Sequence, residues 1–161
     1  MKRPLCIYHG NCADGFGAAW SVWKALGDNA DYCAAAHGDA PPDCRGREVI
    51  IVDFSYPREV LVRLAEEASR LVLLDHHQSA ERQLAPLLAS ELIDGEFDMD
   101  RSGAMMAWQW FHPEVAAPQL LRHIEDRDLW RFALAGTREI TAALFSYPQE
   151  FELWDRLMTG D

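Results

Sequence analysis

Residues 71–80, LVLLDHHQSA, run from four apolar side chains directly into Asp75, His76 and His77. A short apolar run of this kind is typical of a strand that is buried on both faces. Neighbouring strand residues point to opposite faces, so two adjacent histidines cannot serve the same packing purpose. A carboxylate and two imidazoles at the end of a buried strand raise the question of a metal site.

This stretch belongs to a chain in which apolar strands alternate with helices. The predicted strands span 4–9, 31–37, 48–54 and 70–75, and the predicted helices between them span 16–26 and 57–69. Strands that are apolar on both faces and separated by helices predict an α/β fold, with a parallel sheet flanked by helices on both faces.

The second half of the chain has a mainly helical pattern. The predicted helices span 79–90, 101–112, 117–132, 137–147 and 149–158, and residues 91–97 are compatible with one more strand. We therefore expect the parallel sheet to be followed by a mainly helical C-terminal portion. Neither a repeat nor a long linker interrupts the sequence, so residues 1–161 are interpreted as a single domain.

Composition favours a cytoplasmic location. The sequence has no apolar run near the roughly 20 residues of a membrane span, and its start does not resemble a signal peptide. The four cysteines form no C-x-x-C pair and are expected to be free thiols. A net charge of −11 argues against binding long duplex nucleic acid. The negative charge still allows a short anionic substrate, because a bound metal ion makes the local electrostatic potential positive.

Carboxylates or imidazoles stand at the end of every strand predicted in the first half. They are His9 with the nearby Asp14, then His37, then Asp53, then Asp75 with His76 and His77. The carboxyl ends of parallel strands form the edge at which ligands bind. These donors suit Mn²⁺ or Mg²⁺, and their number exceeds what one ion needs. Two ions a few Å apart clamp an in-line displacement at phosphorus.

Four segments, in the expected order, resemble the motifs of the DHH phosphoesterase superfamily. They are IYHGNCADGFGAAW (7–20), IIVDFS (50–55), LLDHHQSA (73–80) and IEDRDLWRF (124–132). The resemblance covers most of the chain. It implies a parallel-sheet domain that binds two Mn²⁺ ions and hydrolyses phosphoanhydride or phosphodiester bonds. Relatives act on short oligonucleotides, nucleotide 3′-phosphates, cyclic dinucleotides, single-stranded DNA or polyphosphate.

The resemblance also implies roles for individual residues. The implied metal ligands are His9, Asp14, Asp53, His76 and Asp126, with Asp53 bridging both ions and Asp128 as the competing choice for Asp126. His77 is expected to face the substrate phosphate, and Asp75 to orient an imidazole. Separately, Arg101 and the start of the helix after RSG suit phosphate binding, which makes Arg101 the third catalytic candidate beside His77 and Asp75.

Two departures from the family pattern affect the site. Many members carry two aspartates separated by one residue in the first motif, whereas this chain has Cys12 two residues before Asp14. Cys12 is therefore a thiolate ligand, a spectator or the cause of a weak metal position. The chain also lacks the Gly-rich, His-containing motif of the family's C-terminal domain. Both a truncated chain and a protein that stands alone fit that pattern.

Each candidate has a simpler interpretation that stays open at this point. Asp53 could cap the helix that begins near Pro57, although Ser55 can do so instead. Asp14 could be a turn residue before Gly15. His37 could turn into solvent with the loop that follows it. Asp126 alone would be a solvated residue on a helix face.

The sequence thus favours a Mn²⁺-dependent phosphohydrolase that uses a metal-activated water. The expected substrates contain phosphodiester or phosphate ester bonds, in short single-stranded oligonucleotides or small nucleotides. One alternative is hydrolysis of pyrophosphate or polyphosphate at the same site. Another is a non-catalytic module that binds a metal or a nucleotide. The oligomeric state cannot be read from the sequence.

Overall fold

A parallel sheet of five strands organises the computed structural model, which describes residues 2–90 and 92–160. The strands are β1 (Leu5–His9), β2 (Asp31–Ala35), β3 (Glu48–Val52), β4 (Arg70–Asp75) and β5 (Asp94–Phe97). Their spatial order is β2-β1-β3-β4-β5, and every neighbouring pair is parallel. The predicted α/β class is confirmed.

Helices make up most of the chain after β5 and connect the strands, except that a loop over 36–47 joins β2 to β3. The helices are α1 (Ala13–Leu26), α2 (Arg58–Glu67), α3 (Gln78–Ala89), α4 (Gly103–Phe111), α5 (Gln119–Asp128), α6 (Thr137–Phe145) and α7 (Phe151–Met158). A short 3₁₀ turn at Gly27–Asn29 follows α1. The mainly helical C-terminal portion is confirmed as well. Within the described residues, no helix is both long and apolar enough to cross a membrane.

Two separate apolar cores cover the two faces of the sheet. One face presents Cys6, Ile50, Val52, Val72 and Leu74 to α1, α4, α5 and α7. The other face presents Leu5, Ile7, Val49, Ile51, Leu71 and Leu73 mainly to α2 and α3. Successive strand residues therefore alternate between two cores, which explains why the strands are apolar throughout rather than at every second position.

Most element boundaries differ by a few residues from the sequence prediction, and several of the differences affect candidate site residues. Strand β2 ends at Ala35, so His37 lies in the following turn. Helix α1 begins at Ala13, which places Asp14 in its first turn. Helix α5 ends at Asp128. Beyond its end, Trp130 and Phe132 adopt left-handed φ angles of 57° and 48°.

The strands that follow β1 in the chain lie on opposite sides of it. After β1 the chain moves outward to β2, and it then returns to the other side of β1 as β3. Such a reversal opens a crevice at the carboxyl ends of the two central strands, and ligands bind there in open α/β sheets. His9 ends β1 and Asp53 immediately follows β3, so the topology brings both residues to this crevice.

Candidate metal centre

Asp53 occupies the centre of the crevice in a strained backbone conformation. Its φ is 54°, in the left-handed region that a residue with a β-carbon enters at a cost of about 1–2 kcal/mol. Its amide donates to the carbonyl of Leu74, 2.9 Å away, which ties the turn to β4. Strain of this kind concentrates at functional sites. The strained backbone at Asp53 therefore agrees with a functional role for its carboxylate.

Gly103 allows the Asp53 carboxylate to lie against the start of α4. A β-carbon added at Gly103 would come within 2.5 Å of the Asp53 Cβ and 2.6 Å of its Oδ1. No side chain can be accommodated at such distances without moving Asp53 or the helix. A glycine is therefore needed at position 103 because Asp53 approaches so closely, and not because the backbone there adopts a left-handed φ.

His76 brings three carboxylates to one nitrogen atom. Its Nε2 lies 2.9 Å from Asp53 Oδ1, 3.2 Å from Asp14 Oδ2 and 3.5 Å from Asp128 Oδ2. A ring nitrogen carries at most one proton, so it cannot satisfy three acceptors. A divalent cation neutralises such a group, and carboxylates with imidazole form a donor set that suits Mn²⁺. The residues present therefore fit the metal.

Asp14 is fixed by the first turn of α4. Its Oδ2 accepts a hydrogen bond from the Gly103 amide and its Oδ1 accepts one from the Ala104 amide, both at 2.9 Å. These amides belong to the positive end of the helix dipole, which favours a negative charge. The carboxylate is thereby held rigidly, with one edge towards His76.

Arg101 lies in a hydrogen-bond network between β5 and α4. Its guanidinium donates to Asp98 at 2.8 Å, to Gln109 at 2.7 Å and to Glu96. The amides of Gly103 and Ala104 at the start of α4, the predicted phosphate site, bind Asp14. Two carboxylates thus engage Arg101, and its catalytic role stays a prediction.

The structure places Asp126 at the turn between α5 and α6, while Asp128, the competing choice, lies beside His76. The Asp126 oxygens accept hydrogen bonds from the amides of Ala133 and Leu134 and from the hydroxyl of Thr137, at 2.6–2.9 Å. Burial disfavours its charge, but these bonds outweigh that effect and hold the pKa of Asp126 below its ordinary range. Residues two apart on a helix face different directions. Asp128 therefore faces His76, and Asp126 closes the turn into α6.

His77 and Asp75 form a pair at the rim of the centre. The Nδ1 atom of His77 lies 2.7 Å from Asp75 Oδ1, and its Nε2 lies 4.0 Å from Asp53 Oδ1. The contact with Asp75 raises the pKa of the half-exposed His77 imidazole, against the opposing effect of burial. Asp75 also accepts a hydrogen bond from the His76 backbone amide at 2.8 Å, so one carboxylate engages the His77 ring and the His76 backbone.

The donor atoms within the described residues fall into three overlapping groups. The groups are His9 with Cys12 and Asp53, Asp53 with His76 and His77, and Asp14 with His76 and Asp128. In each group the donor atoms lie within 4.8 Å of one another. Because Asp53 and His76 each belong to two groups, the geometry accommodates two neighbouring ions. His37 belongs to none of them; its exposed ring stacks on Phe54, with 5.0 Å between centroids.

Burial and mutual repulsion shift the pKa values of the clustered acids. Burial, and then the charge of Asp53, raises the pKa of Asp14 to about 6. Burial, and then Asp14, raises the pKa of Asp128 to about 6. Burial also disfavours the His76 imidazolium, but hydrogen bonds to Asp14 and Asp53 outweigh it and raise the His76 pKa to about 11. In the metal-free centre, protons on these side chains thus offset negative charge that cations would otherwise balance.

Sequence reasoning missed two residues that shape the centre. Glu125 accepts a hydrogen bond from the Ser102 amide at 3.0 Å, which connects α5 to the start of α4. Gly103 makes room for Asp53. A signal for Glu125 exists in the sequence, because its spacing of three residues from Asp128 puts both acids on one helix face. The contact between Gly103 and Asp53 joins distant segments and leaves no local pattern.

Comparisons with known proteins establish the fold and leave the family open. The sequence matches no protein-family model. It is similar to "Uncharacterized protein R106" of Acanthamoeba polyphaga mimivirus, with 28% identity over 170 residues, which covers 96% of this chain and 40% of the relative. Its structure is similar to the "Crystal structure of an uncharacterized protein from Helicobacter pylori G27", with a TM-score of 0.62, 16% identity, and coverage of 86% and 49% of the respective chains. The chain spans less than half the length of each.

Asp126 and Asp128 provide a matched pair of substitutions. Asp128→Asn should weaken Mn²⁺ binding by more than about tenfold, since losing even an outer-shell partner costs that much. It should leave the unfolding temperature of the metal-free chain unchanged or higher, because a repelled carboxylate is removed. Asp126→Asn should lower the unfolding temperature and retain Mn²⁺ affinity, because an amide N–H₂ then faces hydrogen-bond donors. Calorimetric titration and thermal unfolding distinguish the two; the reverse pattern would restore Asp126 as the ligand.

Stabilisation by Mn²⁺ should grow with pH. A group whose folded pKa lies above its unfolded value stabilises the fold at low pH, and this contribution is lost as pH rises through the folded pKa. For Asp14 and Asp128 the window runs from 3.8 to about 6, and for His76 from 6.5 to about 11. The metal-free chain should therefore become less stable across both windows.

Mn²⁺ replaces these protons, so it should raise the unfolding temperature more at about pH 8 than at about pH 5. Thermal unfolding with and without Mn²⁺ measures this, with Asp53→Ala as the variant that should lose the shift. An equal shift at both pH values would contradict the proton competition.

Proposed function

We propose that this protein is a Mn²⁺-dependent phosphohydrolase of the DHH type that cleaves phosphodiester bonds in short oligonucleotides or small nucleotides. The observation that carries the proposal is the convergence of Asp14, Asp53 and Asp128 on the Nε2 atom of His76. The group lies at the carboxyl edge of a parallel sheet, at its switch point. The four segments that resemble DHH motifs each supply one of these four residues.

Bound divalent ions supply Lewis acidity and lower the pKa of water to near neutrality. The chain's own residues have distinct tasks around them. Asp14, Asp128, His9 and His76 would hold the ions, and Asp53 would be the carboxylate that both positions share. Rigid placement of Asp14 by the α4 amides preserves the geometry that an in-line attack needs.

His77 is suited to bind the phosphoryl group. Its Nδ1 is engaged by Asp75, which leaves Nε2 directed towards the centre. Because the contact with Asp75 favours the imidazolium form, Nε2–H can donate to a phosphoryl oxygen. A hydrogen bond that strengthens as negative charge develops stabilises the transition state.

A cleft beside the centre favours a nucleotide over pyrophosphate. It encloses about 850 Å³ and begins at His9 and Cys12. Arg127, Phe145 and Tyr147 also line it, with the Arg127 guanidinium 4.4 Å from the centroid of the Phe145 ring. Exposed aromatic rings stack on nucleobases and a guanidinium binds phosphate. A substrate with a base next to the scissile phosphate would occupy this cleft.

Asp53→Ala should abolish metal-dependent turnover. We expect a loss of more than about 100-fold in kcat/KM on a dinucleotide with Mn²⁺, because the shared ligand of both ions is removed. Asp155→Ala is the control, since that carboxylate pairs with Lys24 on the surface away from the centre. Full activity in Asp53→Ala would refute the proposed reaction.

Tyr147→Ala should separate nucleotide from pyrophosphate hydrolysis. Stacking on an aromatic ring contributes about 1–3 kcal/mol per base, so KM for a dinucleotide should rise about 5- to 150-fold. Release of phosphate from pyrophosphate should not change, and Val115→Ala, which removes another exposed apolar side chain, should affect neither reaction. Equal effects on both substrates would contradict a base-binding cleft. Turnover of pyrophosphate alone would favour the pyrophosphatase alternative.

A further inference from the structure

The donor group that lines the cleft contains a thiol. Cys12 Sγ and His9 Nδ1 each lie 3.8 Å from the same atom, Asp53 Oδ2. The other carboxylate oxygen of Asp53 faces His76. Asp53 therefore divides the centre into a side with sulfur and nitrogen donors and a side where Asp14, His76 and Asp128 supply mostly oxygen.

The Cys12 thiol is directed at a carboxylate as well as at the first turn of α1. Cys12 precedes α1 at the N-cap, with an extended backbone at φ −141° and ψ 130°. The backbone amides of Asp14 and Gly15 act on its sulfur from the first turn of the helix, as is usual for an N-cap side chain. The thiol is also 3.8 Å from the Asp53 carboxylate, and it is only partly buried.

The remaining cysteines differ from Cys12 in their surroundings. Cys6 and Cys44 are fully buried in the two apolar cores. The Cys33 thiol lies near the backbone carbonyl of Ala34. Of the four thiols, Cys12 is the one that belongs to a donor group among the described residues. This makes Cys33, also partly exposed, a matched control.

We propose that the Cys12 thiolate, the His9 imidazole and the Asp53 carboxylate form a site for a borderline-soft divalent ion, with Zn²⁺ as the preferred occupant. Thiolate and imidazole favour Zn²⁺, whereas carboxylates favour Mn²⁺ and Mg²⁺. The two halves of the centre thus differ in metal preference. Coordination of Cys12 releases its thiol proton to solvent, which conserves charge and atoms. The inference rests on the proposed function, because Asp53 is shared between both halves.

Co²⁺ is the probe of thiolate coordination, because a sulfur–cobalt bond produces a charge-transfer band in the near ultraviolet. We expect the metal-free full chain to develop this band up to one equivalent of Co²⁺, and Zn²⁺ to remove it. Cys33→Ser should behave like the unmodified chain. Cys12→Ser should lose the band and weaken Zn²⁺ binding by at least about tenfold, while Mn²⁺ binding at the Asp14 side persists. Cys12→Asp should shift the preference from Zn²⁺ towards Mn²⁺.

The outcomes separate this inference from the function on which it rests. Two bound Co²⁺ ions without the band, or a band that survives Cys12→Ser, would overturn the thiolate site and leave the phosphohydrolase proposal intact. Failure of the chain to bind Co²⁺, Zn²⁺ or Mn²⁺ by calorimetry would contradict both. Loss of the band in Cys12→Ser with an unchanged unfolding temperature would support a ligand role rather than a structural one.

Discussion

The repulsion among three aspartates around His76, of which Asp14 and Asp53 are buried, is the constraint on which the rest of the site depends. Asp14 and Asp53 are almost inaccessible to water, and Asp128 is drawn towards the same imidazole nitrogen. Gathering these charges in a protein interior is costly unless a cation or protons neutralise them. Packing alone gives no reason for the arrangement. The left-handed backbone at Asp53 and the glycine at 103 are both needed to maintain it.

The helices after the sheet complete the centre. The first turn of α4 fixes Asp14, α5 supplies Asp128, and the segment between α6 and α7 lines the cleft beyond Cys12. Asp126 contributes indirectly, because it closes the turn between α5 and α6. The sheet edge and the helical portion that follows it therefore contribute side chains to the same cluster.

Sequence patterns predicted the sheet and the residues at its strand ends, because buried parallel strands have a distinctive apolar run and their ends share one edge. The patterns are silent where the position of a side chain depends on helix phase or on distant partners. Asp126 and Asp128 fit the sequence motif equally well. The orientation of α5 decides which of the two carboxylates faces His76. The engagement of Arg101 by Glu96 and Asp98, and the exposed position of His37 beyond β2, also follow from tertiary structure.

The most direct test of the central claim is a crystal structure of the full chain grown with Mn²⁺, with anomalous scattering collected near the manganese absorption edge. The account predicts two anomalous peaks a few Å apart on either side of the Asp53 carboxylate, one beside His76 and Asp128 and the other towards His9. Anomalous peaks only elsewhere, or none at saturating Mn²⁺, would contradict a metal centre at the switch point of the sheet.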